Sequence, residues 1–230
     1  MKKIAIFGSK ESLEGLKKIE ITEENISIIP VEAIKFEEAD FSITDFSDYD
    51  RIFFGSKRGV KFFLKKTEKT DLKKFKIACV GEKTAEFLEK SGLKADFVPS
   101  NNSSEHFFNE FTEKYKNAKG ILFPTSDISE NTLKERFEKR GIKFRKITVY
   151  KTVCADIQLN ENIDAFIFLS PSSFKCFLEQ NPNTEFKGKT VCAIGKITAE
   201  EIEKHGIKCI YPKTFGLKEA LKLTISKLGG

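Results

Sequence analysis

IACVGEKTAEFLEKSGL (77–93) occurs twice in this chain: displaced by 114 residues it falls on VCAIGKITAEEIEKHGI (191–207). Of the 14 positions from Gly81 to Lys94, eight are identical in the second copy, among them Gly81/Gly195, Thr84/Thr198, Ala85/Ala199 and Gly92/Gly206. The same displacement, without a gap, aligns Phe54 with Phe168, Ser56 with Ser170, and Phe63-Leu64 with Phe177-Leu178. A charge-rich helix can match itself over a few positions. Glycines and a threonine held in register across a strand, a turn and a helix point to a duplicated unit.

Each copy has the same physical reading. The apolar run 77–80 predicts a short strand covered on both faces, and Gly81 ends it where the backbone must turn or a ligand come close. A helix follows with Ala85 and Leu88 inward, and Gly92 supplies the left-handed residue that stops it. Thr84 and Thr198 then fall in a first helical turn, beside unpaired N–H groups and the positive end of the dipole. That position suits an anion; it equally suits a threonine that only caps its helix.

Composition sets the class. The chain has 230 residues, 40% hydrophobic and 32% charged, with 23 Phe and no Trp, which predicts an ordinary globular protein with Phe-rich cores. A net charge of +6, with Lys and Glu interleaved, accommodates an anionic small molecule but is too diffuse for nucleic acid. No apolar run is long enough to span a membrane. MKKIAIFGS opens directly into a strand without a signal-peptide core, so a cytoplasmic protein is expected. Cys79, Cys154, Cys176, Cys192 and Cys209 are scattered, mostly within apolar runs, and read as buried small hydrophobes. With only His106 and His205, no cluster has metal-ligand spacing, and a Ser-His-Asp arrangement is disfavoured.

Strand-like and helix-like runs alternate throughout. Strands are expected at 3–7, 26–30, 51–54, 77–80, 95–98, 119–124, 146–152, 165–170, 191–194 and 209–211. Helices follow Ser9, Ser56, Gly81, Ser103 or Ser104, Ser126-Asp127, Ser170-Pro171 and Gly195, and a closing helix runs through Leu217, Leu221 and Leu228. The stretch 31–49 reads as a linker running into a surface connection, and 154–164 as a second polar connection. This is a parallel α/β pattern. Its strand ends, at Gly8-Ser9, Gly55-Ser56, Gly81, Pro124–Ser126, Leu169-Ser170 and Gly195, offer Ser, Thr and Gly, with Lys10, Lys57, Lys83 and Lys196 alongside. In an open α/β sheet those carboxyl ends share the edge where ligands bind. Donors of this kind hold a polar anion. GKT at 188–190 lacks the glycine a phosphate loop needs, since that position is Asn183, and no G-x-G-x-x-G follows a strand.

Taken together, IFFGSKRGVKFFL (52–64), ACVGEKTAEFLEKSGLKADFVP (78–99), GILFPTSDISENTLKERFEKRGIKFRKITVYKT (120–152), IFLSPSSFKCFL (167–178) and CAIGKITAEEIEKHGI (192–207) resemble the uroporphyrinogen-III synthase family over essentially the whole chain. The resemblance implies two similar, flavodoxin-like parallel α/β lobes with a cleft between them. It also implies that the lobes are discontinuous: 1–33 with 156–230, and 38–150, joined by extended linkers at 34–37 and 151–155. The repeat alone would divide the chain near Lys119. The implied activity is cyclisation of the linear tetrapyrrole hydroxymethylbilane, with inversion of ring D and loss of water, without cofactor or metal. A monomer is implied, supplied by the preceding enzyme of its pathway.

Residue by residue, the family tyrosine at the end of the ITVY strand matches Tyr150, implied to assist departure of the hydroxyl. Ser56, Thr84, Ser170 and Thr198 match its hydroxyl positions. Substrate contacts are expected at these and at Ser9, Lys57, Gly81, Ser126, Ser172 and Gly195. Gly55-Ser56-Lys57 replaces the usual Thr-Ser-Pro, Ser173 stands where Gly is common, and Ser9-Lys10 replaces an arginine often found after the first strand. The alternative is a bilobal binding or sensor protein for an anionic metabolite, which the duplication and composition suit equally.

Overall fold

Apolar runs closed by Gly or Ser become short parallel strands, and the polar-faced segments between them become helices. The computed structural model describes residues 1–20, 23–42, 47–68, 72–101, 104–129, 131–159 and 162–229. In chain order the elements are β1 (Lys2–Ser9), α1 (Lys10–Leu13) running into a 3-10 turn (Glu14–Lys18), β2 (Ile26–Glu38), β3 (Arg51–Phe54), α2 (Lys57–Lys65), β4 (Lys76–Cys79) and α3 (Glu82–Lys90). They continue with α4 (Ser104–Lys114), β5 (Gly120–Ser126), α5 (Thr132–Glu138), β6 (Lys143–Cys154), β7 (Ala165–Phe168), α6 (Pro171–Gln180), β8 (Thr190–Ala193), α7 (Lys196–Glu203) and α8 (Leu217–Leu228). None of the described helices is long and apolar enough to cross a membrane.

The chain divides into two compact units, Met1–Lys35 with Val153–Gly230, and Phe36–Thr152. In unit 1 the strand order is β2-β1-β7-β8, and Ile210 adds a single parallel bridge beyond β8 at Cys192. In unit 2 the order is β6-β5-β3-β4, and Phe97 adds the corresponding bridge beyond β4 at Ala78. All of these pairings are parallel. The two units therefore share one strand order, with β1, β2, β7 and β8 matched by β5, β6, β3 and β4. Each unit takes its first pair of strands from one copy of the sequence repeat and its last strands from the other. Unit 1 is therefore built from two separate stretches of chain, while unit 2 is one continuous stretch that crosses the boundary between the copies.

Equivalent irregularities support the match. The register shifts between Gly8 and Ser9, so that Ser9 lies opposite Ile34, and again between Thr125 and Ser126, so that Ser126 lies opposite Tyr150. Gly92 and Gly206 end the two signature helices at φ 80° and 74°, a left-handed conformation that a side chain would resist.

Phenylalanine fills the interiors. In unit 1 the Phe7, Phe168 and Phe177 rings lie 4.6–5.6 Å apart on one face of the sheet. Ile4, Ile6, Ile167 and Leu221 are buried together in a separate cluster. In unit 2 Phe53, Phe107, Phe111 and Phe137 are buried in one cluster, and Phe54, Phe63, Leu122 and Val149 in another.

Four expectations change. The segment after Pro30 is not a connection: β2 continues to Glu38, with Val31, Ala33 and Ile34 buried against β1. Interspersed charges masked that period-two pattern, and residues 43–46 of the expected connection lie outside the described residues. The strands expected at 95–98 and 209–211 are single bridges. The first helix is one turn of α followed by 3-10, and Ser103 lies outside the described residues. Finally, Cys154 and Cys176 are not buried thiols but a disulfide, 22 residues apart in sequence. Position 176 in α6 is the repeat partner of Phe62 in α2, so the helix that packs a ring in unit 2 holds a covalent bond in unit 1. Cys79 and Cys192 do match the reading, as buried thiols, and Cys209 is partly buried.

Candidate functional site

The two signature copies fold alike at their helix starts. Gly81 precedes α3 at φ 177°, ψ 173°, and Gly195 precedes α7 at φ −176°, ψ 179°. No side chain caps either helix. Thr84 and Thr198 are the third helical residues, only 5% and 4% exposed, so neither is the N-cap that the alternative reading of the repeat allowed. The Gly81 carbonyl accepts from the Thr84 and Ala85 N–H groups at 3.0 and 3.1 Å, and Gly195 accepts from Ala199 N–H at 3.1 Å. The remaining first-turn N–H groups carry the positive end of each dipole.

The serine pair is also duplicated. Ser56 and Ser170 cap α2 and α6 at φ −165°, their Oγ atoms accepting from Gly59 N–H and Ser173 N–H at 3.1 Å each. Accepting an N–H leaves a hydroxyl its own proton to donate. At Ser170 that proton is shared with Ser172 Oγ, 3.1 Å away, and Ser173 Oγ returns the cap by accepting from Ser170 N–H. Ser9 is different. Its Oγ accepts from Ser12 N–H at 3.3 Å and donates to Ser12 Oγ at 3.1 Å, so the buried hydroxyl is occupied within its own turn.

Lysines stand where helices disfavour them. Lys57 opens α2, Lys83 is second in α3, and Lys196 opens α7; all are exposed. A cation at a helix N-terminus opposes the dipole at a cost of about 0.3–1 kcal/mol. Of the three, Lys196 has an ion-pair partner in its own helix, Glu200 at 3.6 Å. The placement runs against helix stability and suits a bound anion.

Tyr150 lies on β6, 7% exposed, opposite Ser126 at the end of β5. Its ring stacks on Phe62 of α2 with centroids 5.2 Å apart and meets Phe36 of β2 edge-on at 5.8 Å. The Arg58 guanidinium lies 3.4 Å from the Phe36 ring centroid and 5.7 Å from that of Tyr150. Arg58 was not among the expected site residues, although it directly follows Ser56-Lys57 at the start of α2. Asp127 links the same strand ends: its N–H donates to Tyr150 C=O at 3.3 Å, and its Oδ1 accepts from Thr152 N–H at 3.1 Å.

Unit 2 thus gathers Ser56, Lys57, Gly81, Thr84, Ser126 and Tyr150 at the carboxyl edge of its sheet, and unit 1 gathers Ser9, Ser170, Ser172, Gly195 and Thr198 at its own. Each edge can donate to carboxylates through N–H, hydroxyl and ammonium groups. A polar surface hollow of about 450 Å³ beside Thr112, Glu113, Lys116 and Arg140 contains none of these residues. Among the described residues no group of three or more His, Cys, Asp or Glu side chains could hold a metal ion. The free thiols are poor nucleophiles: burial pushes Cys79 up, Cys192 up to about 11 and Cys209 up to about 12.

Comparison with known proteins points in one direction. The family model for uroporphyrinogen-III synthase HemD matches residues 16–222. A candidate uroporphyrinogen-III synthase of Methanocaldococcus jannaschii is 30% identical over 187 residues, covering 76% of this chain and 78% of that protein. The uroporphyrinogen-III synthase of Chlorobaculum parvum is 27% identical over 208 residues, covering 80% and 85%. Among solved structures, the uroporphyrinogen-III synthetase of Helicobacter pylori superposes with a TM-score of 0.72 at 20% identity, covering 99% of this chain and all of that one. A mutant uroporphyrinogen-III synthase of Thermus thermophilus gives 0.61 at 16% identity, covering 100% and 99%. At such identities the structural likeness speaks for the fold.

Proposed function

The chain belongs to the uroporphyrinogen-III synthase family, and we propose that it cyclises hydroxymethylbilane to uroporphyrinogen III, inverting ring D and releasing water. The substrate is a flexible chain of four pyrroles bearing eight carboxylates. Its hydroxymethyl oxygen leaves as water to give an azafulvene. The substituted ring D carbon attacks to form a spiro intermediate, which opens and recloses with ring D turned. No electrons are transferred, so the reaction itself calls for no redox cofactor.

The observation that carries the reading is the break in the duplication at Tyr150. Both units have the same register shift, but the residue opposite the shifted serine is Ile34 in one and Tyr150 in the other. Packing alone is served by isoleucine. A phenol at the second position adds a proton donor, and we assign it to the departing hydroxyl. The proton is recovered at the final closure, when the unsubstituted α-carbon of ring D attacks the methylene released by the opening of the spiro intermediate and loses its hydrogen.

The duplicated donors serve the other task. Thr84, Thr198, Ser56, Ser170 and Ser172, with Gly81, Gly195 and Lys57, bind substrate carboxylates and restrict the chain to conformations that lead to inversion. Ser126 lies beside Tyr150 and contributes there. Ser9, whose hydroxyl is spent within its own turn, contributes least. The proposal includes a monomeric, cytoplasmic enzyme, which light scattering and cell fractionation would check.

The test is direct. Freshly prepared hydroxymethylbilane is supplied, the product is oxidised to porphyrin, and its isomer is identified by chromatography. Uroporphyrin III in excess over the enzyme-free control supports the proposal. Only the uninverted isomer, formed at the enzyme-free rate, overturns it.

A further inference from the structure

Apart from the N-terminal methionine, the large hydrophobic residues most exposed among those described are Ile128, Ile197, Tyr211 and Phe215. All four follow strand ends: Ile128 comes after β5, Ile197 after β8, Tyr211 directly after the bridge residue Ile210, and Phe215 shortly beyond it. They stand on the same carboxyl edges as the hydroxyls and lysines. Isolated exposed apolar residues need no explanation; their confinement to one kind of edge does.

Phe215 has the most defined setting. Its side chain is 73% exposed, and Ile197, in the first turn of α7, is 75% exposed. The Phe215 ring lies against Gly195: a Cβ added there would meet its Cδ2 at 2.9 Å and its Cε2 at 3.6 Å. The missing side chain at Gly195 is therefore what lets the ring rest on the start of α7, the turn that contains the buried Thr198. In a protein that buries most of its phenylalanines in clusters, an aromatic left this open contributes little to folding.

We propose that Phe215, backed by Ile197, is a positioning residue: an apolar platform on which one pyrrole ring of the substrate packs while the adjoining α7 N-terminus holds a carboxylate of that ring. This rests on the proposed function, whose substrate joins a flat ring to acidic side chains at every unit. N–H and hydroxyl donors fix the carboxylates but leave the ring free to rotate about its methylene links. A flat apolar surface next to them restrains the ring face as well, and for an enzyme that must present a turned ring, that restraint is a matter of product identity.

The experiment compares wild type with Phe215→Ala, Phe215→Leu and Phe215→Tyr, reading kcat, KM, product isomer ratio under single turnover with enzyme in excess, and Tm. We expect Phe215→Ala to lower kcat/KM by about 3–10-fold, the size of one lost aromatic stacking contact. It should also raise the uninverted fraction, with Tm unchanged. Phe215→Tyr should restore both readouts, and Phe215→Leu, apolar but not flat, should restore KM better than isomer ratio. Wild-type kcat/KM and isomer ratio in Phe215→Ala would overturn the platform. If Tm falls in Phe215→Ala, the Leu variant decides, since it keeps the apolar volume: an isomer ratio equal to wild type overturns the proposal, and a drift supports it. A wild-type protein that yields only the uninverted isomer refutes the proposed function instead, so the two failures are told apart.

Discussion

Gly59→Ala tests how α2 is seated beneath Tyr150. Gly59 is the third residue of α2, and a Cβ added there would lie 2.7 Å from the backbone oxygen of Pro124 on β5. A carbonyl in a paired strand cannot swing aside, so ordinary contact at 3.4 Å requires α2 to move off β5 by about 0.7 Å, the difference of the two distances. Two effects oppose each other. Alanine gains at most about 1 kcal/mol over glycine from helix propensity, and less in a first turn. Overpacking against a fixed backbone costs about 1–3 kcal/mol. The steric term wins, and a net loss of about 1 kcal/mol is expected. The displaced helix also carries Phe62, whose ring stacks on Tyr150, and Arg58, whose guanidinium covers Phe36. Turnover should therefore fall at temperatures where the variant remains fully folded. Urea unfolding of both proteins in parallel gives the stability change, and initial rates with hydroxymethylbilane give the functional one. A Gly59→Ala variant that is about 1 kcal/mol more stable than wild type would refute the close approach of α2 to Pro124.

Three further outcomes are expected. Tyr150→Phe removes only a hydroxyl, so the ring packing should survive while turnover falls about 10–100-fold, or about 1.4–2.7 kcal/mol of barrier; wild-type turnover would return Tyr150 to a packing role. Thr84→Val and Thr198→Val should each change stability by no more than about 1 kcal/mol. On the proposed function, in which both hydroxyls bind the substrate, the double variant should lose more activity than the singles combined and release more uninverted isomer; additive losses with a pure product would separate them from the site. Cys209, pushed up to about 12 from an ordinary 9.0 by burial and the neighbouring Cys192 and Glu203, should carry about 1,000-fold less thiolate than a free thiol near pH 8. Because a raised thiol pKa favours the neutral form, native-state alkylation should stay slow at neutral pH and quicken as pH climbs toward 12. Rapid labelling at pH 8 would contradict that burial.

Much of the fold was legible because its punctuation is chemical. Gly92 and Gly206 stop α3 and α7 in the left-handed conformation, and Ser56, Ser170 and Pro171 mark the starts of α2 and α6. The continuation of β2 to Glu38 was not legible. Glu32, Lys35, Glu37 and Glu38 interrupt the apolar alternation, and pairing with β1, not hydrophobicity, keeps the strand extended as far as Ile34. The Cys154–Cys176 bond was hidden for a related reason: neither cysteine has a local signal, and only the fold brings them together. At the site, the helix-start threonines were visible as repeated letters, but whether they capped required the backbone. Arg58 and Phe215 were missed because each is defined by the ring or glycine it lies against, a relation with no fixed sequence spacing.

The duplication also explains why the site is doubled in some respects and single in others. A substrate with eight carboxylates can use the same donor set twice, and the paired Ser56/Ser170 and Gly81/Gly195 positions keep nearly the same backbone conformation in both units, with Thr84 and Thr198 each third in the helix that follows. Only one hydroxyl leaves in the reaction, so a proton donor is useful once. Around Tyr150 the copies differ in chemistry: Tyr150 stands for Ile34, Arg58 for Ser172, and Phe62, which stacks on the phenol, for the disulfide-bonded Cys176. Six of the 14 positions from Gly81 to Lys94 also differ between the copies, so divergence by itself assigns no role. What sets Tyr150 apart is the kind of change: an aliphatic side chain in one unit is replaced by a buried phenol in the other, and on the proposed function that supplies one proton donor for the one hydroxyl that leaves.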